Sequence, residues 1–185
     1  DFVGSANYGA AFNLITMVLG LSGLTLVTTF YPQLTQLADR AKRAEMLALV
    51  RASFSVVFRL YLGIAVLLAA FPDTIVSVLY GAGYAPSADY LLTLAPVAVL
   101  MGAAPIFMYI LLSQRRQWLA VAASTVQVVA LISLIGRADI TPAQLAQATL
   151  ISALMGVGVM GLAVIWGLKA LPFRSSDLVI ALLAW

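Results

Sequence analysis

Apolar residues run along this chain in long blocks, and the polar ones are confined to short gaps between them. A helix needs about 20 mostly apolar residues to cross the hydrocarbon core of a bilayer. Five blocks meet that requirement: Ala10–Tyr31, Phe54–Phe71, Tyr90–Leu112, Trp118–Ile135 and Ala146–Leu168. A sixth starts near Leu178 and stops at Trp185. At about 1.5 Å of rise per residue it reaches only part-way across. The pattern predicts an all-α fold: a polytopic membrane helix bundle with five complete transmembrane helices and a truncated sixth, in a single membrane domain over residues 1–185. The chain opens at Asp1 rather than Met and ends inside an apolar run, which reads as a piece of a longer polytopic protein.

Composition supports the lipid setting. Hydrophobic residues make up 63% of the 185, charged residues only 9%, and the mean hydropathy is +1.06. Soluble domains carry about 25% charged residues, so too little charge is present here to cover a water-facing surface. The net charge of +3 does not point to nucleic acid. Its basic residues flank the spans and form no stripe with interleaved aromatics. The chain holds no Cys and no His. Disulfides, thiolate chemistry and imidazole metal ligands are therefore excluded, and no cofactor is implied.

The basic residues favour alternate gaps. Arg40, Lys42, Arg43 and Arg51 crowd the first, Arg115 and Arg116 fill the third, and Lys169 and Arg174 the fifth. The second gap has none and the fourth only Arg137. Under the positive-inside rule this places residues 32–53, 113–117 and 169–177 in the cytoplasm. Residues 1–9, 72–89 and 136–145 then face outward. Tyr31, Trp118 and Trp166 fall at the inner interface and Tyr80, Tyr84 and Tyr90 at the outer one, as aromatic belts require.

Local signals refine the gaps. Gln36–Arg51 is rich in Leu, Ala, Arg, Lys and Glu and predicts a helix with one face on the lipid headgroups. Pro72 suits a first helical position and Gly81 the position past a helix end, so a short outer helix is predicted at Asp73–Tyr80. Pro96 and Pro105 lie inside the third span and predict a kink.

Two motifs are suggestive but lack their context. Gly20-Leu21-Ser22-Gly23 matches the pattern around an intramembrane serine nucleophile, but no His is present to take its proton. Gly156-Val157-Gly158-Val159-Met160-Gly161 spells a dinucleotide fingerprint, but it lies mid-span rather than at a strand-to-helix turn. Both read as small-residue packing faces, joined by the pairs Ser152/Gly156 and Ala163/Gly167. No carboxylate falls within any of the five complete spans. The chain is read as not an enzyme.

The polar residues inside the spans are the candidate site. Arg59 lies eight residues beyond Arg51, about 12 Å further along a helix. Arg51, Ser55 and Arg59 recur at a spacing of four and suggest a basic track for an anionic headgroup. Asn7, Asn13 and Thr16 on the first span and Gln127 on the fourth are candidates for the same cavity. Substrate-binding residues are thus Arg51, Arg59, Asn13 and Gln127, against the plainer reading of a snorkelling arginine and interhelix hydrogen bonds.

Gly4–Ala11 (GSANYGAA), the span ending in Phe30-Tyr31-Pro32-Gln33-Leu34, and the stretch Ile75-Val76-Ser77-Val78-Leu79-Tyr80-Gly81-Ala82-Gly83-Tyr84-Ala85-Pro86-Ser87-Ala88 carry a resemblance. Over Val3–Arg116 the chain resembles the polysaccharide or O-antigen flippases of the multidrug/oligosaccharidyl-lipid/polysaccharide exporter superfamily. The resemblance implies most of the second lobe of a two-lobe transporter, working with a missing N-terminal lobe in the bacterial cytoplasmic membrane. It implies alternating access and a polyprenyl-pyrophosphate-linked oligosaccharide as substrate; Arg51 and Arg59 match no motif of the family, and their contact with the pyrophosphate is a physical inference from the basic track. The alternatives are a multidrug or cation exporter of the same superfamily and a membrane-embedded glycan polymerase or ligase.

Overall fold

The computed structural model describes residues 2–25, 29–39, 42–136 and 140–168. Side chains at 2–3, 18–19, 21–25 and 39 are also outside the description. The expected truncated span at 178–185 and the basic gap at 169–177 lie beyond the described residues.

The described residues form helices and no strands. In chain order these are α1 (Phe2–Thr25), α2 (Tyr31–Asp39), α3 (Arg43–Ala70), α4 (Pro72–Tyr80), a 3-10 turn (Ala82–Tyr84), α5 (Ser87–Ser113), α6 (Gln117–Ile135) and α7 (Pro142–Leu168). Among the described residues, α3, α5, α6 and α7 are long and apolar enough to cross a membrane. The protein is therefore a multi-pass membrane helix bundle.

Helix α5 is the central element. It packs on α1, α3 and α7, while α6 packs chiefly on α7. Two apolar clusters follow its length. One joins Phe54 and Tyr61 of α3, Phe107 and Ile110 of α5, and Met160 and Val164 of α7. The other joins Leu14 and Ile15 of α1, Leu68 of α3, Val76 of α4, and Leu91 and Leu94 of α5. Ile64 and Leu100 pack against both. Helix α6 buries little of itself, and Trp118, Val121, Val128, Val129 and Ile132 stand exposed along it. An apolar face left outward is what a lipid solvent asks of a helix.

Small residues set the helix spacing, because lipid provides little hydrophobic drive for one span to meet another. Tyr61 lies directly over Gly102, whose missing Cβ would overlap the ring. Gly161 receives the Phe107 ring, 3.4 Å from where its Cβ would stand. Within the glycine-rich motif of α7, Gly156 meets Gln127, whereas Gly158 faces open space. The motif is thus a helix-packing face at two of its three glycines.

Several boundaries differ from expectation, each for a local reason. The first helix starts at Phe2 rather than Ala10; its described part runs to Thr25, and residues 29–30 are π-helical and lead directly into Tyr31–Asp39. Its polar opening turns are tolerated because they find partners. The Ser87 hydroxyl donates to Asn7 Oδ1 (3.2 Å), and the Tyr8 and Thr149 hydroxyls share a hydrogen bond of 2.9 Å. The linker helix expected at Gln36–Arg51 is divided. Gln36–Asp39 closes α2, and Arg43–Arg51 is the opening of α3, continuous with the second span. Its apolar positions do not share one lipid-facing side, since Val50 is buried in the core while Ala44 and Ala48 are exposed.

Other boundaries sit close to expectation. Helix α4 starts with Pro72 and is closed by Gly81 at φ +83°, in the left-handed region that glycine occupies without strain. Helix α5 remains helical through Pro96 and Pro105. Helix α7 starts at Pro142, four residues ahead of the expected Ala146, because Thr141-Pro142-Ala143-Gln144 forms a capping box. The Gln144 amide donates to Thr141 Oγ1 (3.3 Å), and the Thr141 amide to Gln144 Oε1 (2.9 Å).

Candidate functional site

The four candidate residues stand on three helices. Asn13 is exposed on α1. Gln127 is half-buried on α6 and occupied by the α6–α7 contact, its Cβ 2.6 Å from where a Gly156 Cβ would be. Arg51 is half-buried and Arg59 exposed on α3, but Ser55 between them is buried. The stripe of Arg51, Ser55 and Arg59 therefore does not share one face. A spacing of four drifts by about 40° per step around a helix of 3.6 residues per turn. Arg59 belongs instead with Ala52, Val56, Leu60 and Gly63 on the exposed side of α3. Asn7 is buried and hydrogen-bonded to Ser87, which makes it an interhelix contact.

The structure builds a second polar site that the reading of the spans did not single out. One end of the bundle gathers the C-termini of α2, α5 and α7 and the N-termini of α3 and α6 around a cavity of about 640 Å³. Arg43, Arg115 and Arg116 line it, and its described lining includes no carboxylate. Nearby Glu45 is engaged by Lys42 at 2.8 Å.

Each arginine is held by a specific local feature. The turn from α5 to α6 is a Schellman motif, with the Arg116 amide donating to the Leu111 carbonyl (2.8 Å) and the Arg115 amide to that of Leu112 (3.0 Å). The motif needs a left-handed residue after the helix end, usually Gly. Here Arg115 fills it at φ +57°, at a cost of about 1–2 kcal/mol for a residue with a Cβ. Arg116 then turns over the Trp166 ring, its guanidinium carbon 4.8 Å from the ring centroid. Its Nη1 is buried and has no hydrogen-bond partner among the described residues. Gly167 permits this approach, since a Cβ there would stand 2.6 Å from Gln114 Oε1 and 3.3 Å from Arg116 Nη1. Arg43 donates through Nη2 to the carbonyl of Leu168, the last described residue of α7.

The sequence held a signal for this site. Arg115-Arg116 is a doublet in a short gap, and Trp166 sits at the same expected membrane level. That the first and third basic gaps share one cavity follows only from the packing of α3, which runs antiparallel to α5 and α7.

No protein-family profile, curated protein or solved structure matches the chain.

Proposed function

We propose that this chain is one lobe of a transporter that flips a polyprenyl-pyrophosphate-linked oligosaccharide across the bacterial cytoplasmic membrane by alternating access. The observation that carries the reading is the position of Arg59. It lies about 24 Å along α3 from Arg43 and about 16 Å short of Ala70. It is exposed on the bundle in a span of mean hydropathy 2.0. A guanidinium at such depth faces a water-filled cavity or substrate path far more often than lipid tails. A second lobe facing α3 would enclose that path, with Arg59 on its wall and Arg51 two turns nearer the basic end. Arg binds phosphate oxygens bidentately, which suits a pyrophosphate carried between leaflets. Asn13, exposed on α1, is a further candidate for the same wall. Gln127 supports the lobe's packing rather than the path.

The test is transfer of a fluorescent lipid-linked oligosaccharide in vesicles containing the two-lobe protein. Arg59→Ala is expected to slow transfer at least tenfold while leaving helix content unchanged. Wild-type transfer by that variant would remove Arg59 from the mechanism and the reading with it.

A further inference from the structure

The cavity between α3, the α5–α6 turn and α7 is separate from the exposed face of Arg59, and its chemistry points to a ligand of its own. Three arginines line one space without a carboxylate among the described lining; Arg43 and Arg115 are exposed there and Arg116 is half-buried. Like charges around one opening repel one another, and an anion held between them relieves that repulsion. The Arg116 fork is already oriented by Trp166, and its buried Nη1 has no acceptor among the described residues. Arg115, also on the lining, occupies a left-handed position that glycine would fill without strain, so a cation is kept there at a cost in stability. The cavity size lies in the range of small-molecule sites.

The acceptor set these forks fit is a tetrahedral oxyanion with several oxygens. The exposed Trp166 indole beside it, 68% accessible, is the side chain expected at headgroup level. We infer that this cavity binds a phosphate group, carried by an anionic phospholipid of the leaflet at that end of the bundle or by a soluble phosphate. It is a resident site of the lobe and does not depend on the transport reading.

The test uses the intact protein in detergent, with native mass spectrometry and thermal melting as readouts. Phosphatidylglycerol is added, or phosphatidylcholine, whose phosphate is balanced by its own choline, or inorganic phosphate. The wild-type protein is expected to retain phosphatidylglycerol and to melt higher with it. Arg116→Gln is expected to reduce retention at least tenfold. Displacement of the lipid by millimolar inorganic phosphate would assign the same site to a water-borne phosphate; no displacement would assign it to the headgroup. Arg115→Gly separates binding from packing, because it should raise the melting temperature of the lipid-free protein and still weaken retention. It also decides the matter if Arg116→Gln fails to fold. Wild-type retention in both variants, or retention of phosphatidylcholine equal to that of phosphatidylglycerol, would overturn the inference.

Discussion

Gln127 of α6 lies across Gly156 of α7, with its Cβ 2.6 Å and its Oε1 2.8 Å from where a glycine Cβ would project. The two helices approach so closely only because position 156 has no side chain. Two residues on, Gly158 has open space around its missing Cβ. Ala is favoured over Gly in a helix by about 1 kcal/mol, so the two positions should respond with opposite signs. Gly156→Ala is expected to destabilise the bundle by about 1–3 kcal/mol through overpacking, and Gly158→Ala to be neutral or stabilising. Unfolding in mixed detergent micelles measures both; equal effects would contradict the α6–α7 contact.

The hydrogen bond from Ser87 to Asn7 ties the start of α5 to α1 in a buried position. Ser87→Ala leaves the Asn7 amide without that partner. Interhelical hydrogen bonds of this kind contribute about 0.6 kcal/mol on average and up to about 1.7 in membrane proteins. A loss within that range is expected, and Asn7→Leu in the Ser87→Ala background should recover part of it. An Asn7→Leu/Ser87→Ala double-mutant cycle without coupling would place the two side chains apart.

Positive-inside bias puts Gln114 and Gly83 on opposite sides of the membrane. They lie at opposite ends of α5, Gly83 in the turn before it and Gln114 just after it. The chain has no native cysteine, so Gly83→Cys and Gln114→Cys can be labelled singly in intact cells. An impermeant maleimide should modify position 83 directly and position 114 only after the membrane is opened. Labelling of both from one side would contradict the orientation of α5.

The membrane setting and the helical class were legible from one-dimensional pattern, because span length and charge exclusion are imposed by the bilayer whatever the fold. Helix α4 was legible too, since Pro72 and Gly81 act through their own backbone. Legibility failed where a neighbour decided the outcome. The polar turn around Asn7 reads as a gap until Ser87 and Thr149 supply partners. Gln127 reads only as a polar residue within a span until the fold sets it against Gly156. Ser55 reads as part of a basic stripe until α3 packs and buries it. The capping box at Thr141–Gln144 was different: its signal lay wholly in the sequence and was overshadowed by hydropathy.

By itself, then, the order of residues determined that this protein is built of apolar helices and that its arginines avoid most of the length of those helices. Those properties reflect each segment's free energy in lipid, which depends on that segment alone. Only the tertiary structure decided that Arg43, Arg115 and Arg116 share a cavity while Arg59 stands apart from it. Which helix ends meet is a property of how glycine-spaced helices pack on one another, and no single segment carries that information.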